Sequence, residues 1–244
     1  MDRLIYTAMS GAQHILDQQT TNSNNLANVS SNGFRAQIDT FRAVPIVGAA
    51  LNTRAFVVNA TSGTDFTPGP IQPTGRNLDV AIEGKGWFAV QRPDGTEGLT
   101  RNGSFKINSN SILTSPDGLP VVGDGGPITV PPGVILSVAG DGTISAVNDG
   151  SNPGPSNPIG RLKLVNPPEA GLTRGTDGLF VSSGPAPVDE TVKVVNGSLE
   201  GSNVNVVQSM VNMISLARQF DLQMNMLKTT ESDDAKASEL LQLN

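Results

Sequence analysis

Two stretches of this chain lack the residues that break helices, and they lie at opposite ends. Residues 204–244 contain neither glycine nor proline, and residues 1–30 contain one glycine, Gly11, and no proline. All 17 prolines and nearly all of the 27 glycines fall between them. Each end can therefore sustain a long helix, and the middle must turn repeatedly.

Periodicity agrees. At the first end Ile5, Ala8, Ala12, Ile15, Gln19, Asn22, Leu26 and Val29 recur in steps of three and four. That spacing lays one stripe along a helix. Gln19 and Asn22 are polar where a paired helix wants apolar groups, a substitution that sets register at some cost in stability. At the second end Val206, Met210, Met213, Ala217, Phe220, Met224 and Leu227 repeat the pattern. Ser202 and Asn203 are placed to cap it. An isolated helix of this kind is marginal in water, so the two ends are expected to pair with each other and with further copies.

The middle reads as β structure. Leu78–Ile82, Trp87–Val90, Gly103–Ile107, Ile128–Val130, Val134–Val138 and Leu162–Val165 are rich in strand formers. Asp-Gly and Asn-Gly pairs, among them Asp94-Gly95, Asn102-Gly103, Asp117-Gly118 and Asp141-Gly142, separate them and favour tight turns. Residues 148–158 have the composition of an exposed loop. The expected fold class is α+β. Residues 1–35 and 204–244 form a discontinuous, coiled-coil-like helical domain, 36–73 an extended linker, and 74–203 a central antiparallel all-β domain.

Little supports chemistry. There is one histidine, His14, and no cysteine. A thiolate metal site is excluded and an imidazole one is poorly provided for. No Gly-x-Ser-x-Gly elbow occurs. Gly84-Lys85-Gly86 is better read as a turn than as a phosphate loop, because a strand pattern follows it. Asp79 and Glu83 read as solvated charge. The reading is therefore no catalytic residue, no cofactor and no metal. With a net charge of −6 and no basic tract, nucleic acid is not an expected partner, nor is a small-molecule substrate. No window is apolar enough to insert in a membrane, and the first residues lack a secretory signal pattern.

Specific motifs lie on this framework. Leu4–Gly11 (LIYTAMSG) is followed by Ser23-Asn24-Asn25-Leu26-Ala27-Asn28 and then Gly33-Phe34-Arg35. Together with Gly197–Met213 (GSLEGSNVNVVQSMVNM), Thr74–Val90 and Thr100–Phe105, these closely resemble the flagellar basal-body rod and hook proteins. Within that family the opening residues, Arg42–Ile46, Gly125–Pro132 and Gly160–Val165 look most like the proximal-rod members, with the distal-rod members as the competing assignment.

The resemblance implies a non-enzymatic axial subunit of a helical assembly, working in the periplasm. Its partners would be itself, neighbouring proximal-rod subunits and the distal rod. Delivery would be through the flagellar type III export apparatus, without a cleaved signal peptide. Ile5, Ile15, Leu26 and Val29 would pack on Val206, Met210, Met213, Phe220 and Met224 in a tube wall. Asn24, Asn25 and Asn28 would bond neighbouring subunits. Phe34 and Ile38 fit the loose pattern of export recognition. The rival readings are a secreted surface-binding β module, for which one Trp and one Tyr are poor provision, and a hydrolase.

A proline in the first helix tests the framework. Leu26→Pro costs a helix about 3 kcal/mol. It is expected to abolish motility while near-ultraviolet circular dichroism shows an intact β core.

Overall fold

The computed structural model describes residues 2–45, 55–148 and 156–242. Among those residues the fold is α+β, with two α-helices, a short 3-10 helix and antiparallel strands. The chain divides into two compact units, one formed by residues 1–29, 36–65 and 204–244, the other by 30–35 and 66–203. No helix among the described residues is long and apolar enough to cross a membrane.

The first unit holds helix α1 (Asp2–Ala27), helix α2 (Val206–Gln242) and a hairpin of β1 (Gln37–Pro45) with β2 (Ala55–Thr64). The hairpin occupies a stretch whose sequence suggests an extended linker. Its register runs from Gln37 opposite Thr64 to Pro45 opposite Ala55, with an irregularity between Thr40 and Phe41. Ile46 and residues 149–155 of the expected loop lie outside the described residues.

The helices pack antiparallel. Asn22 of α1 reaches Ser209 near the start of α2, and Gly11 faces Gln223 further along it. Ala8, Ala12 and Ile15 are buried, as the α1 stripe requires. On α2 the sheltered positions include Ser209, Met213, Leu216, Phe220, Gln223 and Leu227. These also step by four and three, but the seam is rotated from the one that apolarity suggests. Small and polar residues, Ser209 and Gln223, occupy it. The cap differs too: Asn205 accepts the N–H of Gln208 at 3.1 Å, while Ser202 and Asn203 belong to the other unit.

The second unit is the β core. A five-stranded sheet is built around β5 (Trp87–Gln91) and β6 (Glu97–Thr100), flanked by Leu164–Val165 on one side and by Phe180–Ser182 and Leu172–Arg174 on the other. Strands Val134–Val138, Thr143–Asn148 and Asn157–Arg161 form a second sheet. β3 (Ile71–Pro73) pairs with Ser198–Glu200, and β4 (Val80–Glu83) with Lys193–Asn196. Ile128–Val130 forms no strand of its own and joins Ile112 only through a bridge at Thr129.

Strand alternation places the core. Phe88 and Val90 point into the main cluster with Ile82, Phe105 and Ile144, whereas Trp87 and Ala89 join Leu99, Val165 and Phe180 on the opposite face. Trp87–Val90 is thus buried on both sides, which explains four apolar residues in a row.

Turns follow the expected chemistry at Gly95, Gly118 and Gly142, all with positive φ. Two of the turn aspartates do more than permit a turn. Thr96 donates its hydroxyl and N–H to Asp94, and Thr143 its N–H and hydroxyl to Asp141, which holds both carboxyls below their ordinary range. Gly103 is different. A Cβ there would lie 1.8 Å from the Val80 carbonyl oxygen, so close approach, not turn geometry, demands glycine. Gly84-Lys85-Gly86 links strands of two different sheets and is not a hairpin turn. Asp79 is buried, bonded to Thr74 at 2.7 Å and paired with Arg76 at 2.6 Å, so it is not solvated charge; Glu83 is exposed.

Phe88 is fully buried, with the Phe105 ring 5.2 Å away edge to face. Phe88→Ala is expected to destabilise the β unit by about 3–5 kcal/mol, measured by urea unfolding followed through Trp87 emission.

Candidate functional site: the helix pair and a buried charge cluster

In the helix unit the motif residues bond within the chain. The Asn25 side chain makes two hydrogen bonds to the backbone of Gln37: its amide donates to the carbonyl and its oxygen accepts the N–H, both at 2.8 Å. This side chain imitates a strand partner and ties the first residue of β1 to α1. Asn28 donates to the carbonyl of Asn24 at 2.9 Å, closing its own helix end. Within the chain the amides of Asn25 and Asn28 are thus hydrogen-bonded, while the Asn24 side chain is exposed. Asn22 donates to the Ser209 carbonyl at 2.7 Å, so this polar interruption sets the register of α1 against α2.

Of the residues picked as a packing seam, Ile15 is buried, and Leu26, Val29, Met213 and Phe220 are partly buried. Val206, Met210 and Met224 are exposed, because Ser209 and Gln223 occupy the seam on α2. The side chain of Ile5 lies outside the described residues. Around the exposed three, Val207 (71% exposed), Val211, Ile214 and Leu222 (69%) leave α2 with apolar groups on its outer side. Tyr6, Met9 and Leu16 do the same on α1. Ser23, Asn24 and Ala27 are exposed on the motif helix.

In the β unit, three motif stretches meet in a cluster of charge. Glu200 is 1% exposed. Its Oε1 lies 2.7 Å from Nη2 of Arg35 and accepts the N–H of Gly69 at 2.8 Å; its Oε2 accepts from Nη1 of Arg101 at 2.9 Å. Arg35 and Arg101 are buried as completely. Arg101 also donates to the carbonyls of Ile82 and Gly84 and lies over the Trp87 ring, 5.6 Å from its centroid. Burial pulls the Arg101 guanidinium down to about 10; Glu200 opposes this and Arg35 reinforces it. It stays charged at neutral pH.

Backbone bonds close the same knot. The N–H of Gly33 donates to the Glu200 carbonyl at 2.7 Å, and that of Asn203 to the Phe34 carbonyl at 3.3 Å. Gly33 has φ +69°, and a Cβ there would lie 2.4 Å from the Arg101 carbonyl carbon. Arg174 donates to the Arg35 carbonyl at 3.1 Å and stacks 4.6 Å from the centroid of the Phe34 ring. Phe34 is buried and Ile38 exposed. Periodicity gave no hint of Arg101 or Glu200. The available signal was three buried-looking, glycine-bearing motifs, each with a charge, in a chain only 16% charged.

Among the described residues no group of acidic or histidine side chains could hold a metal ion. A family profile described as "Flagellar hook protein FlgE/F/G D1 domain" matches residues 81–146, and one described as "Flagellar basal body rod FlgEFG protein C-terminal" matches 195–240. The chain is 45% identical over 252 aligned residues to the flagellar basal-body rod protein FlgF of Escherichia coli (strain K12), with all of both chains covered. The chain belongs to the flagellar rod and hook protein family. FlgF of Salmonella typhimurium is 44% identical, again over all of both chains. A FlgG rod protein of Buchnera aphidicola is 30% identical, over 92% of this chain and 96% of its own. The likeness is thus stronger to these FlgF proteins than to that FlgG. The chain is a structural rod subunit of the flagellar basal body and not an enzyme. The first profile contains Arg101 and the second Glu200, so the cluster joins the two matched regions.

Arg35→Ala leaves Glu200 buried and one partner short. It is expected to cost about 3–5 kcal/mol, read by urea unfolding of the full chain followed through Trp87.

Proposed function

We propose that this chain is a proximal-rod subunit that polymerises through its terminal helices. The product is the hollow drive shaft that surrounds the export channel and carries torque toward the hook. The apolar outer side of α2 carries this reading. Val207, Val211, Ile214 and Leu222 are each more than half exposed, on a helix whose inward seam is already occupied. Soluble monomers rarely leave such a surface uncovered.

The chain ends, 1–35 and 204–244, act as the polymerisation domain. Ile15, Leu26, Val29, Met213 and Phe220 serve within one subunit, while Val206, Met210 and Met224 turn toward neighbours in coiled-coil-like contacts. Four methionines on α2 between 210 and 226 suit a surface that must fit several neighbours. The subunit works in the periplasm, beside other proximal subunits and the distal rod. It arrives through the flagellar export apparatus. Because Phe34 is buried under Arg174 once folded, any recognition of Phe34 with Ile38 precedes closure of the β unit.

The test is a surface change that leaves the monomer alone. Val207→Ser, Ile214→Ser and Leu222→Ser together are expected to leave the β unit's unfolding midpoint unchanged and to abolish rod formation, seen in purified basal bodies and as loss of swimming. Normal rods built from this variant would refute the reading.

A further inference from the structure

Two buried arginines and one buried glutamate do not balance. Arg35, Arg101 and Glu200 leave one positive charge in the interior, and burial, reinforced by Arg35, lowers the Arg101 pKa. Buried ion clusters are weak sources of stability, and well-packed apolar groups often replace them without loss. What such a cluster supplies is one geometry. Both oxygens of Glu200 are engaged by three distant parts of the chain: by the Arg35 ion pair and by hydrogen bonds from Gly69 and Arg101. Glycines wedge it from two sides. A Cβ at Gly33 would meet the Arg101 backbone, and one at Gly69 would lie 2.2 Å from the Gly201 carbonyl oxygen. Neither position has room for a side chain.

The position of the cluster in the chain gives this rigidity a use. Arg35 follows α1 by eight residues, and Glu200 precedes α2 by six. Between them run the bonds Gly33 to Glu200 and Asn203 to Phe34. The point where the chain enters the β unit and the point where it leaves are thereby held side by side.

We propose that Arg35, Arg101 and Glu200 are positioning residues for assembly. They hold together the points where the chain enters and leaves the β unit, and as a set they add little net stability over apolar groups of the same volume. This rests on the reading of the helices as the polymerising element. A subunit whose entry and exit points drift apart cannot keep α1 and α2 paired in one register, and a regular lattice accepts one.

The experiment uses the full chain in three forms, each scored for the unfolding midpoint through Trp87, for amide exchange at Gly33 and Asn203, and for rods in a strain lacking the native subunit. The concerted change Arg35→Met, Arg101→Met, Glu200→Leu is expected to keep the parental midpoint, to exchange Gly33 and Asn203 amides faster, and to lower rod yield by about tenfold or more. A variant with the parental midpoint and the parental rod yield overturns the proposal. If the triple variant does not fold, Arg35→Lys decides. It keeps the charge but replaces the rigid planar guanidinium by a point charge on a flexible stem. Reduced rod yield at a parental midpoint supports positioning; unchanged yield overturns it. The third form, Val207→Ser with Ile214→Ser and Leu222→Ser, separates the two ideas. If it assembles normally, the helical-polymerisation reading fails. If it does not assemble while the cluster variants do, only the positioning role fails.

Discussion

Glu200 is the residue on which the β unit's organisation turns. Its carboxylate sits in a water-excluded site, where an unpaired charge costs several kcal/mol. It is tolerable only because Arg35, Arg101 and the Gly69 amide converge on it. Those partners come from positions far apart in the chain, so the site exists only when the whole unit has closed. Gly33 and Gly69 are glycine for the same reason, since any side chain would displace the backbone that delivers a donor. Trp87 and Phe34 line the same region and take guanidinium groups on their ring faces.

The helix unit obeys a different physics. Its inward seam is modest, with alanines on α1 and Ser209 and Gln223 on α2. Small and polar seam residues let helices approach, but they bury little apolar area, so each contact contributes little. Specificity there comes from amides, Asn22 on the Ser209 carbonyl and Asn25 on Gln37. The larger apolar residues of α2 lie outward. Within one subunit the helices therefore leave apolar surface uncovered.

Much of this was legible beforehand. Glycine and proline placement marked the helical ends, and Asp-Gly pairs located turns at Gly95, Gly118 and Gly142. The hairpin β1–β2 was not legible, because its residues lack strict alternation and its partner strand lies across a long connection. On α2 the sheltered seam shares Met213, Phe220 and Leu227 with the expected stripe but takes Ser209, Leu216 and Gln223 in place of Met210, Ala217 and Met224. Apolarity ranks Met210 above Ser209, whereas packing against α1 favours the smaller side chain. Asp79 was misjudged because burial by Arg76 and Thr74 is a property of folded neighbours.

The sequence alone determined the division into helical ends and β middle, the absence of equipment for thiolate chemistry, and the family, through motifs specific enough to need no coordinates. Local chain preference and motif identity are both written in consecutive residues. Only the tertiary structure decided which motif charges are buried, which face of α2 is already used, and which amides are spent internally. Arg35, Arg101 and Glu200 are separated by 66 and 99 residues, and no local pattern states that one carboxylate will serve both arginines. That pairing arises from closure of the β unit, because only there does excluding water make the contact obligatory.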